Sequence, residues 1–236
     1  MPYRRLPNTD QARIRSLSTV IDAIRNNDLY VPVLSPELFN RADRQLRQFK
    51  AASDLYCQSN SKLNGFSKSP AYQNKLHNAR MYVSHFLIVL NLCVKRGEIK
   101  EADRLLYGLP EHSAELPDLL TDSQVINCCK AAIEGERART QKGGMPIFNP
   151  TIAKVNVHYD LFHSMYEQQQ SLRHETDLKL AAVAVLRHET DAIILEAWNA
   201  IEEYFKDLQG EKKLEACRKY GIIYYYRPGE KKKTAE

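Results

Sequence analysis

TIAKVNVHYDLFHSMYEQQQSLRHETDLKLAAVAVLRHETDAIILEAWNAIEEYFKDLQ, residues 151–209, runs for 59 residues without glycine or proline. These are the residues that most often end helices, so the stretch predicts an all-α protein. As one helix it would be roughly 88 Å long at about 1.5 Å per residue. A compact chain of this size has a radius of gyration of only about 17–18 Å. The run therefore folds back on itself or makes the molecule elongated.

Apolar positions alternate by three and four through Ile152, Val155, Tyr159, Phe162 and Tyr166, and again through Ile194, Ala197, Ile201, Tyr204 and Leu208, the spacing of an amphipathic helix. Between them the same register meets Gln169, Arg173 and Thr176. Loss of the stripe beside Gln168-Gln169-Gln170-Ser171 predicts a hairpin turn, with Thr176 or Asp177 capping the second arm. Because the register survives the gap, a continuous helix is the alternative.

Upstream, Asn8-Thr9-Asp10 predicts a helix start and Asn26-Asn27 its end, with the stripe Ile14, Leu17, Ile21 and Ile24. Leu29 to Leu34 is expected to be extended, since Pro32 lacks a donor and restrains Val31. Ser35-Pro36-Glu37 opens a second helix, carrying Leu38, Ala42, Leu46, Phe49, Ala52 and Tyr56. Gly65 is the next breaker, and after a loop to Pro70 a return arm reaches Gly97. A short helix is expected over Glu98 to Tyr107, and another runs from Thr121-Asp122-Ser123 to Gly143-Gly144. The expected architecture is an elongated helical bundle over 1–236 made of two long antiparallel hairpins, about 36–97 and 150–209. Connecting helices span 98–149, and an extension spans 210–236. In that extension a short basic helix ends at Tyr220-Gly221, followed by the strand-like Ile222 to Arg227.

With 43% hydrophobic residues, the chain can bury a real core. The apolar segment Met81 to Val94 is too short, and too interrupted by Ser84, His85 and Asn91, to cross a membrane. It reads as a core helix with His85 and Asn91 as buried, hydrogen-bonded polar residues. No secretory signal is read at the N-terminus. Five cysteines without C-x-x-C spacing argue against a disulfide framework or zinc cage, and a cytoplasmic location is expected. The adjacent Cys128 and Cys129 read as one exposed and one buried helical residue. The net charge of +5 is concentrated at the two ends, with Lys231-Lys232-Lys233 in the tail. Basic termini can hold nucleic acid or an acidic partner.

The hexapeptide Leu-Arg-His-Glu-Thr-Asp occurs at 172–177 and 186–191. It offers His174 and His188 with neighbouring carboxylates as potential metal ligands, and Asp160-Leu-Phe-His163 is a weak analogue of the Glu-x-x-His pairs of di-metal bundles. On one helix the two copies lie about 21 Å apart, too far to share a metal. A solvated face with local charge pairs is the plainer reading. No glycine loop or nucleophile motif is present, and no catalytic residue or cofactor is assigned. Tyr224, Tyr225, Tyr226 and Arg227 form a strip that could dock a partner or clamp the chain end onto its own core.

The opening Pro2-Tyr-Arg-Arg-Leu-Pro-Asn-Thr-Asp10, the segment Arg80-Met-Tyr-Val-Ser-His-Phe86, and Trp198 with Ile201-Glu-Glu-Tyr-Phe205 and Tyr220-Gly-Ile-Ile-Tyr224 resemble a family of uncharacterised helical proteins from Bacteroidota-type bacteria. The resemblance implies a bacterial cytoplasmic origin and transfers no site. The leading functional expectation is a non-enzymatic interaction or scaffold protein that binds a protein partner or itself, with no membrane contact. A nucleic-acid-associated protein using its basic termini and a metal-dependent helical enzyme are the alternatives.

Overall fold

The computed structural model describes residues 3–26 and 32–226. Six α-helices dominate these residues: α1 (Asp10–Arg25), α2 (Pro36–Ser67), α3 (Pro70–Lys95), α4 (Asp122–Gln141), α5 (Ile152–Tyr204) and α6 (Gly210–Lys219). A 3-10 segment spans Glu101–Tyr107, and two short strands, β1 (Tyr3–Arg4) and β2 (Tyr224–Tyr225), complete the elements. The helix starts obey local chemistry. Thr9, Ser69 and Thr121 each accept a backbone N–H with the side chain, and Thr121 forms a reciprocal capping box with Gln124. Ser35 Oγ accepts from the Leu38 N–H at 3.2 Å.

The chain divides into two compact units, one of residues 1–59 and 175–236, the other of residues 60–174. In the first, Leu17, Val20 and Ile21 of α1 pack with Leu38 and Ala42 of α2 and with Ile193, Ile194, Trp198 and Ile201 of α5. Each such aliphatic side chain contributes about 1.5–3 kcal/mol when fully buried. Charges align α1 on α5 beside this core. Arg13 grips Asp191 with two bonds of 2.8 Å, and Arg187 grips Asp10 at 2.9 and 2.8 Å. In the second unit, Tyr72, Val83, Phe86 and Leu90 of α3 meet Val125, Cys129 and Ala132 of α4 and Val155 and Phe162 of α5.

Several expectations are corrected. No turn interrupts residues 168–171, because α5 is helical from Ile152 to Tyr204; the second hairpin over 150–209 is absent, and the helix ends before Leu208. Two of the three polar residues that break the apolar stripe, Gln169 and Thr176, have polar partners on α2, as does Thr190 further along. Thr176 meets Ser59 at 2.9 Å, Gln45 donates to Thr190 at 2.9 Å, and in the other unit Gln169 donates to Ser67 at 3.0 Å. Satisfied in this way, buried polar groups do not force the helix to turn. Gly65 likewise fails to stop α2, which continues to Ser67; a single glycine costs a helix only about 1 kcal/mol.

His85 is exposed, not buried. Val83, Phe86, Leu87 and Leu90 occupy the inner face of α3, and His85 falls on the opposite side with the exposed Ile88 and Leu92. Asn91 is buried and donates to the Ala114 carbonyl at 3.0 Å. The segment expected as a helix from Glu98 is 3-10 and begins at Glu101. Residues 27–31, covering part of the expected extended segment, lie outside the described residues.

Candidate functional site

The hexapeptide copies serve two faces of α5. In both, the threonine is turned inward against α2 and the histidine and glutamate are exposed. Glu175 pairs with Lys179 one turn on, while Arg187 and Asp191 of the second copy belong to the charge pairs with α1. His174 and His188 face solvent. His163 is half-buried, 3.8 Å from Glu167 and 5.1 Å from the Tyr159 ring, and the exposed Asp160 accepts from Asn156 at 2.9 Å. His163, His174 and His188 are not brought together with carboxylates: among the described residues, no group of three His, Cys, Asp or Glu side chains converges closely enough to hold a metal ion.

Between the two copies, α5 presents apolar side chains to solvent. Leu178 is 59% exposed and Val185 78%. They stand seven residues apart, two turns along one face, with exposed Ala182 between them.

The second unit contains a closed polar cluster. Glu136 and Arg139 on α4 are buried and paired at 2.9 Å, and the Tyr107 hydroxyl donates to Glu136 while accepting from Arg139 Nε at 2.8 Å. The Ile147 N–H reaches Glu136 at 2.9 Å and Arg139 donates to the Met145 carbonyl at 2.7 Å, so the cluster also anchors the loop leading toward α5. Burial, reinforced by Glu136, pushes the Tyr107 phenol well above its ordinary pKa. It is a donor here. A Cβ on Gly135 would come within 2.7 Å of the Tyr107 ring and of the Leu106 carbonyl, which is why α4 has glycine there. With its partners all internal, this cluster holds structure rather than substrate.

In the first unit the segment before α1 meets the segment after α6. β1 pairs antiparallel with β2, placing Tyr3 against Tyr225 and Arg4 against Tyr224. Tyr224 donates to Glu202 at 2.6 Å, Tyr226 reaches Glu211 at 3.4 Å, and the Arg5 guanidinium lies 5.9 Å above the Tyr225 ring. Of the tyrosine strip, Tyr224 and Tyr226 are half-buried and Tyr225 is exposed; Arg227 lies outside the described residues. Gly221 turns the chain back with φ of +81°, and a Cβ there would approach Thr19 to 2.9 Å.

A cleft of about 760 Å³ opens along this seam, between the start of α1 and the loop 221–225. Arg5, Arg15 and Arg218 line it, and no Asp or Glu is among its described lining residues. Trp198 and Ser16 line it as well, 0% and 8% exposed. Trp198 Nε1 and Ser16 Oγ have no hydrogen-bond partner. The sequence signalled the basic ends, but nothing in it joins residue 5 or 15 to residue 218. Leu178 and Val185 were also missed as candidates, although their place between the repeat copies was a visible signal.

No helix among the described residues is long and apolar enough to cross a membrane. Comparison with protein-family models, with curated proteins and with solved structures finds no match.

Proposed function

We propose that this is a non-enzymatic interaction protein that associates with a second copy of itself through the outer face of α5. One observation carries the reading: Leu178 and Val185 stand in solvent on one helical face, inside a segment bracketed by the repeated hexapeptide. Scattered exposed apolar residues are ordinary, but a row at heptad spacing is what helix pairing uses.

The repeat makes the face self-complementary. In an antiparallel pair with its two-fold axis midway between Leu178 and Val185, each leucine lies opposite the other copy's valine. The small Ala181 and Ala182 meet at the centre, and Glu175 falls opposite His188. An isologous contact of this kind needs only one patch per chain. The inward threonines are already occupied with α2, which leaves the outer residues for a partner.

Light scattering on a size-exclusion column tests the proposal. The chain is expected to elute at twice its own mass at micromolar concentration, and Leu178→Glu with Val185→Glu is expected to halve that mass while leaving the thermal unfolding of the protein nearly unchanged. A monomeric wild type, or a double variant that remains a dimer, overturns it.

A further inference from the structure

We infer that the cleft between the start of α1 and residues 221–225 is a binding site for a small organic phosphate. Three guanidinium groups line it without a carboxylate among the described lining residues, so an anion entering it meets net positive charge, although Glu211, outside the lining, already pairs with Arg218. Arg218 is held at 2.6 Å by Glu211, and Arg5 lies over the Tyr225 ring, so two of the three are positioned before any ligand arrives. Guanidinium forks match phosphate oxygens in pairs. A group of charge near −2 balances Arg5 and Arg15, the two arginines outside that ion pair, better than a single carboxylate does.

Two further features point to a ligand. Asn8 and Thr9 line the cleft at the start of α1, where the helix dipole favours negative charge, with the Ala12 N–H already taken by Thr9. Independently, Trp198 and Ser16 line the same cleft, and Trp198 Nε1 and Ser16 Oγ are buried without a hydrogen-bond partner. A buried donor left unpaired costs about 1–3 kcal/mol, so the site carries donor capacity that the protein itself does not use. Leu6, Pro7 and Ile222 supply apolar walls, which suit the organic part of the ligand. The volume of about 760 Å³ falls in the range of small-molecule sites.

The only tryptophan of the chain is Trp198, so its emission reports directly on the cleft. The full-length protein is titrated with pyrophosphate at constant ionic strength, with citrate and a single-stranded oligonucleotide as parallel probes. Pyrophosphate is expected to give a saturable change in Trp198 emission, with a dissociation constant at least tenfold weaker in Arg15→Gln. That residue is exposed, so its loss leaves the fold intact, as circular dichroism checks. Arg5→Gln is the second variant and is expected to weaken binding similarly. No saturable change with pyrophosphate overturns the inference, as does an affinity unaltered in both variants. Citrate binding as tightly as pyrophosphate would assign the cleft to carboxylates instead. Oligonucleotide binding that pyrophosphate does not displace would assign the basic seam to nucleic-acid backbone.

Discussion

The hydroxyls of Ser59 on α2 and Thr176 on α5 lie 2.9 Å apart in the buried interior of one unit. This pair stands where the apolar stripe of the long run fails, and it shows what replaces the stripe: a polar residue facing a polar residue. Thr176→Val is expected to cost about 1–2 kcal/mol, because it strands the buried Ser59 hydroxyl, and Ser59→Ala less, whereas the double variant should cost about 1 kcal/mol less than their sum. Urea melts of the four proteins measure this. Strict additivity would mean that the contact contributes nothing.

Continuity of α5 has its own test. Ser171 is exposed and sits at the expected turn, so its side chain matters little and its backbone decides the outcome. Ser171→Pro is expected to destabilise the protein by about 3 kcal/mol or more, the cost of proline inside a helix. A hairpin turn would accept the substitution with a small change in urea midpoint.

Removing one member of the buried Glu136–Arg139 pair leaves the other charge without its partner. Arg139→Met is expected to cost about 3–5 kcal/mol, and the added change Glu136→Gln to recover part of it. Calorimetry would show the Arg139→Met transition below that of the wild type and the transition of the double variant between the two. A double variant less stable than Arg139→Met would contradict the assignment.

Thiol chemistry separates the cysteines. Burial pushes Cys128 up to about 11 and Cys129 up to about 12 from an ordinary value of 9.0, whereas Cys57 is exposed. Iodoacetamide at pH 8 is therefore expected to modify Cys57 while Cys128 and Cys129 stay unmodified, as read by peptide mass spectrometry. The same raised pKa values have a stability consequence. Between about pH 9 and 12 the native thiols hold protons that the unfolded chain has released, so their contribution is complete below pH 9 and is lost as pH rises toward 12. Replacing Cys129 with Ala should flatten that alkaline decline in the urea midpoint.

What the sequence by itself determined was the all-α class and most helix ends. Caps at Thr9, Ser35 and Thr121 work through side chains reaching backbone groups three residues away, so their signal is local and readable in one dimension. Whether Gln169 and Thr176 marked a turn was decided elsewhere, by Ser67 and Ser59 on α2. His85 shows the same limit, since its exposure depends on which side of α3 the α4 and α5 residues cover. The cleft lies furthest from the sequence. Arg5, Arg15 and Arg218 share one cavity only because β1 pairs with β2 and Gly221 brings the chain back against Thr19. Periodicity tells which residues of a helix share a face. The identity of the group facing them is a property of tertiary packing, and here that group decides both the unbroken helix and the unpaired donors of the cleft.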